Sequence, residues 1–119
     1  MTMADRNKIL RTVKLVAELL ARGEYEAIAK MGLGGSLSPI EIEFGVSEYP
    51  CKLIAPPEEA YQEIRIYDAD FERADGFRCL VEFPLWTVEE GRSDLFLLLS
   101  LYEKQGDYYG FTFDDLDVP

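Results

Sequence analysis

Apolar residues near the start of the chain, Ile9, Leu10, Val13, Val16, Ala17 and Leu20, recur at spacings of three and four. That rhythm puts them on one side of an α-helix. Arg6, Lys14 and Glu18 fall on the other positions. Asp5 suits the amino end, where the helix dipole favours negative charge. Gly23 follows Arg22 as a natural stop. A helix over about 4–22 is expected. A shorter one should follow over 24–31, with Tyr25, Ile28 and Ala29 inward and Gly32, Gly34 and Gly35 ending it.

The next segment carries two competing patterns. Ser38-Pro39-Ile40-Glu41 has serine at a cap, proline at the first helical position and glutamate at the third, which together make a capping box. Ile40, Glu41, Ile42, Glu43 and Phe44 alternate, which is a strand pattern. A third short helix over 38–48 is the expectation, because the cap is positional and the alternation is short; a strand is the competing reading.

Pro50, Pro56 and Pro57 break the chain and leave 51–55 for a short strand. From Glu63 onward the period changes to two. Glu63 to Tyr67 alternates, Phe77, Cys79, Val81, Phe83 and Leu85 share one face, and so do Leu95, Leu97, Leu99 and Leu101. Phe96 and Leu98 make the second face of that strand apolar too, as in a central strand covered on both sides. Tyr109, Phe111 and Phe113 give a last strand. Lys104-Gln105-Gly106-Asp107 is a hairpin signal, whereas Thr87 to Asp94 reads as a longer connection in which Gly91 is free to take a positive φ. The result is one α+β domain over 1–119, its N-terminal helices packed on one face of an antiparallel meander.

Three strings carry a likeness to known families. Leu20-Ala-Arg-Gly-Glu-Tyr-Glu-Ala-Ile-Ala29 and Tyr109-Gly-Phe-Thr-Phe-Asp-Asp-Leu-Asp-Val118 resemble the turn from first to second helix and the last strand of the cystatin-like cone of the nuclear transport factor and SnoaL-like superfamily. The resemblance implies helices lying in the hollow of a curved antiparallel sheet. That superfamily's enzymes often place a histidine or tyrosine beside an aspartate in the cone, and the histidine is missing here. The string Leu85-Trp-Thr-Val-Glu-Glu-Gly-Arg-Ser-Asp-Leu95 looks like the signature of a family of small, largely bacterial domains with no assigned activity. It sharpens the fold and carries over no catalytic residue.

Charge narrows the partners. With 23 acidic against 12 basic residues the net charge is −11, which repels phosphate backbones and anionic membrane surfaces. A basic protein partner fits best, and a homodimer stays open. There is no histidine, so Ser-His-Asp and Cys-His nucleophile systems and imidazole metal sites are absent. Cys51 and Cys79 do not make a disulfide scaffold, and Cys79 reads as a small core residue. No metal or cofactor is expected. The N-terminus lacks a signal-peptide core and the longest apolar run, Leu95 to Leu99, is too short to span a bilayer, so a cytoplasmic location is the default.

Within this frame the signature is the best candidate for a binding site, bringing Trp86, Glu89, Glu90, Arg92 and Asp94 into one turn. Trp86 offers an apolar face with one donor, and Arg92 a planar fork whose expected partner is Asp94 or Glu90. Tyr102, with Tyr25, Tyr61 and Tyr67, could line the hollow of a cone. The glycines after Met31 lack the ending of a phosphate loop, and Asp114, Asp115 and Asp117 lack the spacing of a calcium loop. No catalytic residue is assigned. A non-catalytic protein-binding module of the immunity or inhibitor type is expected. A small-molecule binder or SnoaL-like enzyme using the cone is the alternative, and a DNA mimic ranks last because no stripe of carboxylates is evident.

Overall fold

The computed structural model describes residues 4–118. α1 spans Arg6–Ala21. Asp5 caps it, its carboxylate accepting from the N–H groups of Asn7 and Lys8 at 3.0 and 3.3 Å. Gly23 ends it at φ 74°. α2 is Tyr25–Met31 and α3 is Pro39–Ser47. The capping box decides the competing patterns. The Ser38 hydroxyl accepts from Glu41 N–H, and the Glu41 carboxylate accepts from Ser38 N–H. On a helix, the alternation sends Ile42 into the core and leaves Ile40 and Phe44 outside.

β1, Leu53–Ile54, precedes a 3-10 helix over Glu58–Glu63 that the alternation did not announce. Ala60 and Tyr61 are buried there. The strand expected from Glu63 therefore starts two residues later, as β2, Arg65–Asp68. β3 is Phe77–Thr87, β4 is Gly91–Tyr102 and β5 is Gly110–Asp117. All pairings are antiparallel, in the order β1-β3-β4-β5, with β2 also paired to β3. β2 to β5 form the expected meander.

The helices and one sheet face share a single core. Ile9, Val13, Val16 and Leu20 of α1 join Val81, Phe83, Leu97, Leu99, Phe111 and Phe113 of the sheet. Thr12 fixes the position of α1, its hydroxyl accepting from Tyr109 N–H at 2.9 Å. The segment between α2 and α3 straps the edge of β5 through Leu33 N–H to Phe111 C=O and Leu37 N–H to Phe113 C=O, which shields an edge strand from further pairing. Gly45 lets α3 sit close to β5, since a Cβ there would lie 3.2 Å from Leu116.

β4 is central, as expected, but its second face is covered differently from the first. Phe96 is buried there outside the core cluster. The guanidinium groups of Arg65 and Arg92 stand 6.0 and 5.8 Å from its ring centre. Long cationic side chains lie over it rather than a second layer of backbone. Among the described residues no helix is long and apolar enough to cross a membrane.

Candidate functional site

The signature folds as strand, tight turn and strand. β3 runs to Thr87 and β4 begins at Gly91, so only Val88, Glu89 and Glu90 form the turn. Gly91 takes φ 72°, and a Cβ there would meet the Trp86 ring at 3.5 Å. The longer connection expected from Thr87 to Asp94 is thus replaced by a tight reversal, with Arg92 and Asp94 already in β4.

The two glutamates diverge instead of repelling each other across one site. Glu90 Oε1 accepts from the Tyr49 hydroxyl at 2.7 Å and from the Thr87 hydroxyl at 3.3 Å. Glu89 Oε1 accepts from Lys52 N–H at 2.9 Å, and Val88 N–H donates to Lys52 C=O at 2.9 Å. Both carboxylates fasten the loop after α3 to the turn. Tyr49 is held above its ordinary pKa, first by its bond to Glu90. The Cys51 thiol is also raised, by desolvation first and then by Glu90 and Glu89. A thiol held this way is a weak nucleophile at neutral pH.

Arg92 does not pair with Asp94 or Glu90. Its Nε donates to Glu63 Oε2 at 2.6 Å, across from the 3-10 helix. Register explains the correction: Arg92 pairs with Trp86 on the sheet face away from the helices, while Glu90 is held at the turn by Tyr49. The Trp86 indole N–H is buried without an acceptor.

Ser93 is the signature residue that the charge pattern passed over. The β3–β4 register jumps between Pro84↔Phe96 and Trp86↔Arg92, a bulge beside Leu85. The Ser93 hydroxyl donates to Leu85 C=O at 2.7 Å and accepts from Leu95 N–H at 3.2 Å. It supplies the bonds that the interrupted ladder lacks. Its signal in the sequence was a small hydroxyl residue two positions after Gly91, set between the charged Arg92 and Asp94.

Tyr102 lies at the other end of β4, its ring edge-on to Phe77 with centroids 5.8 Å apart. Ten residues of strand separate it from Arg92, roughly 33 Å. The remaining tyrosines do not converge either. Tyr61 stacks on Phe83 with centroids 4.9 Å apart, its hydroxyl buried without a partner and its pKa driven up by burial. Tyr67 is exposed on β2, and Tyr25 is half-buried on α2. Asp114 is occupied by the hydroxyls of Ser100 and Thr112 at 2.6 and 2.7 Å. Trp86, Glu89, Glu90, Arg92 and Asp94 thus stay near one end of the sheet, where Glu89, Glu90 and Arg92 make bonds within the chain.

Residues 17–119 match the family model described as Domain of unknown function (DUF7668). The chain belongs to that family. No curated protein and no solved structure matches it.

Proposed function

We propose that this DUF7668 chain is a non-catalytic protein-binding module of the immunity or inhibitor type, and that its partner is a basic protein. The observation that carries this is the uncompensated charge. Carboxylates outnumber cations by 23 to 12, and Lys8, Lys14, Arg22, Arg73, Arg78 and Arg92 already stand within salt-bridge distance of carboxylates of this chain. The surplus is free to attract a cationic surface and to repel acidic ones. In the signature Glu89, Glu90, Arg92 and Ser93 are engaged in bonds within the fold, which favours recognition by surface over catalysis by a site.

The test is capture of partners from the native source at low and at high salt. A basic protein retained at low salt and released as salt rises is expected, because screening removes charge steering first. Retention of no protein at low salt, or of a partner indifferent to salt, would count against the reading.

A further inference from the structure

α3 is apolar on two sides. Ile42 is fully buried, whereas Ile40 and Phe44, one turn apart on the opposite side, are 79% and 64% exposed. Two large apolar side chains at i and i+4 form one contiguous ridge. Exposed apolar groups that gather in a patch mark an interaction site more often than scattered ones do.

Clefts flank the ridge. Between α3 and β5 lies one of about 420 Å³, floored by Leu37 and Leu116. It continues past Phe44 into a second of about 270 Å³ beside Tyr49 and Val118. On the α2 side Ile40 borders a third, of about 510 Å³. The charged residues lining all three are carboxylates: Glu41, Glu48 and Asp115 on the β5 side, and Glu24, Glu26 and Glu43 on the α2 side. Among the described residues no lysine or arginine lines any of them.

We infer that the Ile40–Phe44 ridge is the docking surface, and that its occupant is a basic amphipathic helix of the partner protein. The inference rests on the reading of the chain as a binder of basic proteins and adds where and in what form the partner is held. An apolar ridge between acidic clefts complements a helix whose apolar face is bordered by lysine or arginine. The apolar contact supplies affinity, and the carboxylates select sign and speed encounter. A second copy of this chain would bring the same acidic rims against each other, and nucleic acid or an anionic bilayer is repelled for the same reason.

The experiment uses the full chain, isotope-labelled for NMR, and an amphipathic lysine–leucine helical peptide as probe. Saturable amide shifts concentrated at α3, at Glu24 to Ala27 and at Asp115 to Val118 are expected. The double substitution Ile40→Ser, Phe44→Ser should weaken binding about tenfold or more, since removal of anchor residues dominates such interfaces. The melting curve should stay unchanged, because both side chains are exposed. Saturable binding at another surface, binding undiminished in the double variant, equal binding of an all-lysine peptide, or no binding at all would each overturn the inference. The partner captured from the native source separates the two levels. If it binds the double variant as tightly as the wild type, the surface assignment falls while the basic-partner reading stands. If the wild type captures no basic protein at low salt, that reading falls as well.

Discussion

Ser93→Ala removes one oxygen from the place where the β3–β4 ladder breaks. Ser93 is 1% exposed, and its hydroxyl bridges Leu85 C=O and Leu95 N–H. Without it both backbone groups lose a partner in a region closed to water. An orphaned buried polar group costs about 1–3 kcal/mol. Two of them, with some relaxation of the bulge, set the expected loss at about 2–4 kcal/mol. That is a large part of the roughly 5–15 kcal/mol that holds a typical domain folded. Urea denaturation followed by tryptophan fluorescence measures it directly, because Trp86 is the single tryptophan and sits beside the bulge. The slope m should not change, and at a mid-range slope of roughly 2 kcal/mol per molar the midpoint should fall by about 1–2 M. Ser100→Ala is the companion. Its half-buried hydroxyl donates to Asp114 at 2.6 Å, so its loss should stay near about 1 kcal/mol. A loss below about 0.5 kcal/mol for Ser93→Ala would show that the bulge satisfies itself and that the hydroxyl is not its pin.

Leu97 is fully buried in the middle of the central strand, so Leu97→Ala should cost about 2–5 kcal/mol in the same assay, and a cost under about 1 kcal/mol would contradict its place in the core. Arg92→Ala breaks a half-exposed pair with Glu63 and should cost no more than about 1 kcal/mol, a difference that shrinks in high salt; a double-mutant cycle with Glu63→Gln that gives a coupling well above this would contradict it. Burial pushes the Cys79 thiol up to about 12 from an ordinary value near 9. Above the ordinary value the unfolded chain gives up that proton and the folded chain keeps it. The contribution is therefore whole below about pH 9 and is lost as pH climbs toward 12, by up to ~1.4 kcal/mol per pH unit. Stability measured across that range should fall in the wild type and fall less steeply in Cys79→Val, and parallel curves would refute the assignment. In native protein a thiol reagent should label Cys51 long before Cys79, which is buried; simultaneous labelling would place Cys79 outside the core.

The elements that were legible are those whose signal is local. α1 needed only its apolar spacing, Asp5 at one end and Gly23 at the other. α3 was decided by Ser38 and Glu41, which bond to each other across one turn. The inward faces of β3, β4 and β5 followed from a period of two, and every member expected to be buried from Phe83 to Phe113 is buried. What stayed hidden depends on distance along the chain. The 3-10 helix over Glu58–Glu63 forms where Ala60 and Tyr61 join the core, with Tyr61 stacking on Phe83, and no local spacing announces that contact. Glu63 lies 29 positions before the arginine it holds.

The charged signature shows why adjacency in a sequence is a poor guide to pairing. In a strand, successive side chains point to opposite faces, so neighbours in the string are not neighbours in space. Arg92 goes to the sheet face away from the helices and meets Glu63, while Ser93 goes inward and closes the bulge. Glu89 and Glu90 sit at the turn and reach Lys52 and Tyr49 on the loop after α3. A string so rich in polar groups therefore serves as the fastening between the sheet, the 3-10 helix and that loop, because Glu89, Glu90 and Arg92 are each matched to a distant partner by the fold. The opposite holds for the pattern that caused ambiguity at α3. Alternation is wasteful on a helix, since half of its apolar members must face away from the core. Ile40 and Phe44 could be serine or lysine without loss to the core, which α3 meets through Ile42 and Val46. An exposed apolar pair that packing does not require, set among carboxylates on both sides, is the observation on which the proposed docking surface rests.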